Sequence, residues 1–122
     1  DQSAELRLID RESGEPFAAT KVAGGFDPWI VQLAGVDTEG SLVVFEVPAD
    51  GDPGTINRYS LRDLSPVGDP EELPAPALSA SLAGDGETLA WLDADGALHL
   101  GPLDGDLDTP PVAKGFTWVT WA

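Results

Sequence analysis

At 122 residues the chain is long enough for one domain, and a 42% apolar share gives it the means to bury a core, which argues against disorder. Its formal charge of −16, from 22 acidic and 6 basic residues, opposes binding to nucleic-acid phosphates or anionic lipid, and no apolar run approaches the ~18 residues of a membrane span. With no cysteine, it has neither a disulfide framework nor a thiolate metal site.

The acids are unevenly spread. After Arg62, eleven acidic residues face only Lys114, which leaves −10 in that half. Two explanations fit: a solvated surface that keeps the protein soluble, or adaptation to a cationic partner, a divalent cation or a salty medium. The sequence opens at Asp1 and contains no Met, so the expectation is a product cut from a longer secreted or lipid-anchored precursor, placed outside the cytoplasm.

Turn formers punctuate the chain, with 14 Gly and 11 Pro, and no stretch carries sustained helical spacing of apolar residues. Short β-type runs are predicted instead at Glu5–Asp10, Trp29–Ala34, Ser41–Val47, Thr55–Leu61, Ala77–Leu82, Thr88–Asp93, Ala97–Leu103 and Phe116–Trp121. Between them lie turns in which Gly supplies positive φ and Asp caps with its side chain: Glu12-Ser13-Gly14, Asp37 to Gly40, Asp50 to Gly54, Asp85-Gly86, Asp95-Gly96 and Asp104-Gly105. Pro74 and Pro76 exclude a helix from segment 71–83, which reads as a loop entering a strand. Residues 87–103 form a hairpin across Ala94-Asp95-Gly96, with Leu89, Trp91, Leu98 and Leu100 expected on one face and His99 on the other, toward a surface or groove.

Patterns also recur at a spacing of about 45 residues. Gly25-Phe26-Asp27-Pro28-Trp29-Ile30 returns as Gly115-Phe116-Thr117-Trp118-Val119, two units of ~45 residues later. Leu8-Ile9-Asp10 is echoed by Tyr59-Ser60-Leu61-Arg62-Asp63 and by Pro102-Leu103-Asp104-Gly105. The recurrence divides the chain into the end of one unit (1–25), two full units (26–70 and 76–114) and the start of another (115–122). In the unit 26–70 a weak outer strand is expected near Leu64–Val67.

Residues 81–103 resemble a blade of the TolB-like and WD-repeat-like bacterial β-propellers, and are similar to the propeller portion of LpqB-type lipoproteins. The likeness rests on Ser81, Asp85, Gly86, Thr88, Leu89, Ala90, Trp91, Asp95 and Gly96, continuing into Leu103, Asp104 and Gly105. It implies an all-β chain of about two and a half four-stranded antiparallel propeller-like blades, stacked so that each sheet hides its neighbour's apolar side chains. Closed propellers hold four to eight blades, so such a chain is an open fragment or part of a multi-chain assembly. A small β-sandwich is the alternative.

Catalytic signatures are sparse. His99 is the single histidine and no Gly-x-Ser-x-Gly elbow occurs, which removes the usual nucleophile and base. Asp104, Asp106 and Asp108 alternate as at the opening of a calcium loop, but Thr109, Pro110 and Pro111 break the continuation, so they read as an Asp-rich turn or a weak calcium site. Trp29, Trp91, Trp118 and Trp121 suit core positions more than sugar-stacking ones. The expected function is a non-enzymatic protein-binding or scaffold module, without cofactor, whose partner is another protein or further propeller blades. The alternatives are an accessory part of a calcium-dependent or carbohydrate-active enzyme, and a self-assembling structural protein that forms homo-oligomers.

Overall fold

The computed structural model describes residues 5–21, 30–47 and 53–115. Among them every regular element is a strand: β1 (Glu5–Ile9), β2 (Pro16–Lys21), β3 (Ile30–Val36), β4 (Ser41–Val47), β5 (Thr55–Ser60), β6 (Glu71–Glu72), β7 (Ala77–Leu82), β8 (Thr88–Asp93), β9 (Ala97–Pro102) and β10 (Ala113–Lys114). Each strand pairs antiparallel with its chain neighbour, giving a β1–β2 hairpin and two four-stranded meanders, β3-β4-β5-β6 and β7-β8-β9-β10. None of the three closes into a barrel. The expectation of an all-β chain of short antiparallel sheets is met.

Strand β4 explains why the sheets must stack. Its sequence, Ser-Leu-Val-Val-Phe-Glu-Val, combines β-branched and aromatic residues with a burial pattern that leaves neither face to water. Val43, Phe45 and Val47 point one way, joined by Ile56 and Leu73, and pack with Ala77, Ala80, Leu82, Leu89 and Trp91 of the third sheet and with Leu103 and Leu107 of the loop after β9. On the reverse face Val44, Tyr59 and Leu64, with Leu42, meet Leu6, Leu8 and Ala18 of the first hairpin. Alternation along a strand thus builds two cores on one sheet. Each large side chain so buried stabilises the fold by about 1.5–3 kcal/mol relative to exposure.

The two leading strands approach closely. Both carry a bulge, between Leu33 and Gly35 in β3 and between Ala77 and Ser79 in β7. A Cβ on Gly35, whose φ is 151°, would stand 3.0 Å from the Leu82 Cβ, so only glycine lets the β3 backbone come this near to β7. Short turns keep the strands in step through Asp caps. Asp37 Oδ1 accepts from the Glu39 and Ser41 amides, Asp85 Oδ1 from Glu87 and Thr88, and Asp93 Oδ1 from Asp95 and Ala97. The three segments that echo one another in sequence all fall where β1, β5 and β9 end.

Several details depart from the sequence reading. The outer strand of the second sheet is Glu71–Glu72, pairing with Ile56 and Thr55, rather than Leu64–Val67. Leu64 adopts φ 60° inside a turn, and residues 65–67 stay beside the end of β5 through the Tyr59–Pro66 bridge and the bonds Ser60 N–H to Ser65 O and Val67 N–H to Arg58 O, without forming a strand. Pro16–Lys21 is a strand that a leading proline disguised. In the β8–β9 hairpin, Trp91 pairs with His99, Leu92 with Leu98 and Ala90 with Leu100. Leu98 and Leu100 therefore lie on the face opposite Leu89 and Trp91, because a register one residue from the expected one exchanges the faces. The strand expected over Phe116–Trp121, the Gly25 to Trp29 echo, Asp50 to Asp52, and Trp29, Trp118 and Trp121 lie outside the described residues.

Two mutational contrasts test this packing. Phe45→Ala should cost about 3–5 kcal/mol in urea unfolding, whereas Phe17→Ser, at a side chain 60% exposed, should stay within about 0.5 kcal/mol. Gly86 and Gly40 both have positive φ, but a Cβ on Gly86 would meet the Thr38 nitrogen at 2.9 Å and one on Gly40 meets nothing within 4 Å. Gly86→Ala should therefore lower the melting midpoint clearly more than Gly40→Ala does.

Candidate functional site

The chemistry-bearing side chains gather along the junction of the second and third sheets. On its leading edge, Gln32 of β3 turns its Oε1 toward β7, accepting from Ser79 Oγ at 2.9 Å and from the Ala80 amide at 3.0 Å. An edge-strand N–H is thereby satisfied by the neighbouring sheet, which fixes the two strands in register.

Farther along, Arg58 of β5 shares a face with Ile56 and so points into the junction. Its Nη2 donates to Asp104 Oδ1, at the turn after β9, and its Nη1 lies 3.7 Å from Asp37 Oδ2. The two carboxylates differ sharply, since the Asp37 side chain is 4% exposed and that of Asp104 is 77% exposed. Asp37 Oδ2 is buried without a hydrogen bond, so Arg58 is the charge that compensates it. Beside them a cleft of about 240 Å³ is lined by Ile56, Arg58, Val67, Asp69, Glu71 and Asp104. Burial raises the Glu71 carboxyl above the ordinary glutamate range, Arg58 opposes that shift, and Asp104 adds to it.

The third cluster is built on Trp91. Its indole Nε1 donates to the Leu107 carbonyl at 3.1 Å, and its ring stacks on His99 with centroids 4.1 Å apart and planes 10° from parallel. His99 Nε2 lies 2.8 Å from Asp93 Oδ2 and Nδ1 lies 2.6 Å from the Thr109 carbonyl. His99 is therefore buried in a pinned network, not turned toward a surface or groove, because the β8–β9 register sets it against the Trp91 face. Both ring nitrogens are thus engaged by groups of the same chain. The bond to His99 is the largest cause holding the Asp93 carboxyl below its ordinary range, with the Ala97 and Asp95 amides adding to it. Asp93 thus caps its own hairpin with one oxygen and holds His99 with the other.

Two of the three carboxylates of the calcium-like spacing have separate tasks. Asp104 pairs with Arg58, and Asp106 Oδ1 accepts from the Asp108 amide within the same loop. Among the described residues no three His, Cys, Asp or Glu side chains converge on a common point. A wide, shallow depression of about 570 Å³ lies beside the Thr88–Pro102 pairing, lined by Glu87, Thr88, Leu100, Gly101, Pro102 and Asp104.

Gln32 and Arg58 were not singled out from the sequence, although Arg58 left a trace. It is one of six bases in the chain and has the same parity as Ile56 in a predicted strand, so a cation on a core-facing position already demanded an acidic partner. Gln32 left no such sign. No family model matches the chain, and no curated protein matches it.

Arg58→Ala should destabilise the protein by about 2 kcal/mol, because it strands the buried Asp37, while Asp104→Asn should cost under about 1 kcal/mol. Chemical denaturation of both variants provides the comparison. Asp10, Asp63, Asp85 and Asp93 all have carboxyls held below their ordinary range in the folded state. Their contribution is present above the unfolded aspartate value of ~3.9 and is lost as the pH falls through the lower folded values. The unfolding midpoint should accordingly drop below about pH 4, and less steeply in Asp93→Asn, in a titration of stability against pH.

Proposed function

We propose that this chain is a non-enzymatic scaffold module, a segment of an extracytoplasmic β-propeller whose exposed faces bind a protein partner or further blades. The observation that carries this reading is the face-to-face stack of a two-stranded hairpin and two four-stranded meanders, with short Asp- and Gly-containing turns between β3 and β4, β7 and β8, and β8 and β9. A second support is the distribution of polar chemistry. Trp91, His99, Asp93, Gln32 and Arg58 bond to other parts of the same chain, so the most distinctive side chains hold the stack together. Surface is left for association, since Ile9, Phe17, Leu33 and Val112 are each more than half exposed.

No helix among the described residues is long and apolar enough to cross a membrane. The −16 charge favours a neutral or basic protein partner over an acidic one.

Cross-linking of the full chain in its native envelope, followed by mass spectrometry, tests the reading. Cross-links to a defined protein partner should map to β2 and β3, which bear Phe17 and Leu33, and to the segment at Val112 just ahead of β10. Hydrolase activity of the isolated chain would overturn the proposal. So would a rise in melting midpoint that saturates with calcium, because a ligand that binds the native state stabilises it according to its concentration relative to Kd.

A further inference from the structure

One apolar strip is left uncovered in a place where the rest of its interface is covered. Val31, Leu33 and Val36 of β3 pair with Glu46, Val44 and Leu42 of β4, so all six share the face that the first hairpin packs against. On β4 that face is sheltered, with Glu46 and Val44 fully buried. On β3 it is open: Val31, Leu33 and Val36 are 36%, 61% and 48% exposed. The strip continues an existing interface laterally, beyond the reach of a hairpin only two strands wide.

The molecule itself contains the arrangement that would cover such a strip. The other face of β3 meets β7, through Gly35 against Leu82 and through Gln32 bonded to Ser79 and Ala80. What covers β3 on that side is thus β7, the leading strand of a four-stranded meander whose first hairpin is β7–β8. The first hairpin is two strands short of the other two sheets, and among the described residues the edge of β1 away from β2 pairs with no strand. The missing width and the bare strip coincide.

We propose that the free edge of β1 and the Val31–Leu33–Val36 strip form a single acceptor for a two-stranded hairpin, and that its occupant is the leading hairpin of a preceding blade, of the β7–β8 kind. This rests on the propeller reading above. The incoming inner pair would add to β1 by main-chain hydrogen bonds and lay alternate apolar side chains on Val31, Leu33 and Val36. The acceptor selects for small and apolar residues at alternate positions, the pattern that β7 presents with Ala80 and Leu82.

The test is a chain in which a second copy of residues 77–96 is fused directly ahead of Glu5, compared with a fusion carrying the same residues scrambled. The fused hairpin should raise the melting midpoint by more than about 3 °C and slow hydrogen exchange at the β1 amides, and Leu33→Asp should abolish both gains. Leu33→Asp in the unmodified chain should shift the midpoint little, which separates loss of docking from loss of folding. No gain over the scrambled fusion, or a gain indifferent to Leu33→Asp, would overturn the inference. A dimer of the unmodified chain that Leu33→Asp dissolves would overturn the assigned occupant in favour of a second copy. Exchange at the β4 and β8 amides reads the stack independently: protection there without protection at β1 refutes only this inference, whereas rapid exchange at β4 and β8 refutes the propeller reading as well.

Discussion

A four-stranded sheet with apolar residues on both faces cannot persist alone in water, because whichever face is uncovered exposes hydrocarbon at a cost of about 25 cal/mol per Å². Strand β4 imposes this condition, with Val43 and Phe45 on one side and Val44 on the other, all fully buried. The central sheet needs a neighbour on each face, and its neighbours are the β1–β2 hairpin and the β7–β10 meander. The bulges in β3 and β7, the glycine at position 35 and the small residues Ala77 and Ala80 all serve that approach of sheet to sheet.

Apolar contact alone tolerates sliding, and the polar side chains within the stack remove that freedom. Gln32 ties β3 to β7, Arg58 spans from the second sheet to the turn after β9, and Tyr59 Oη donates to the buried Glu46 at 3.0 Å. The bonds of Gln32 and Tyr59, made away from bulk water, are costly to leave unmade and so penalise other registers, while the Arg58 bond to the exposed Asp104 adds less. Asp93 adds a further coupling. By capping its hairpin and holding His99, which also contacts the Thr109 carbonyl, it links the β8–β9 turn to the loop that delivers Leu103 and Leu107 to the core.

Much of the fold was legible where sequence and burial agree at the level of single strands. Ser41–Val47, Ala77–Leu82 and Thr88–Asp93 coincide with the observed elements, because a dense β-branched or aromatic run between Asp and Gly turns has few other outcomes. What escaped was whatever depends on a partner strand. β6 and β10 are two residues long and exist only because a longer strand lies beside them, and Pro16–Lys21 is fixed by its pairing with β1. The facing of Leu98, Leu100 and His99 turned on a single residue of register, set by the Asp93 cap and invisible to alternation alone. For the candidate site, composition revealed an excess of acid but not that Asp37 would be the buried one, nor that Arg58 would answer it.

The open strip on β3 has a colloidal consequence. A bare strand edge beside an exposed leucine is the kind of surface on which chains nucleate runaway association. This chain carries it with 22 acids against 6 bases, so identical molecules repel one another at separations up to the screening length of roughly 8 Å in physiological salt. A net charge of this size opposes the close approach of like copies, and the opposition weakens as added salt shortens the screening length.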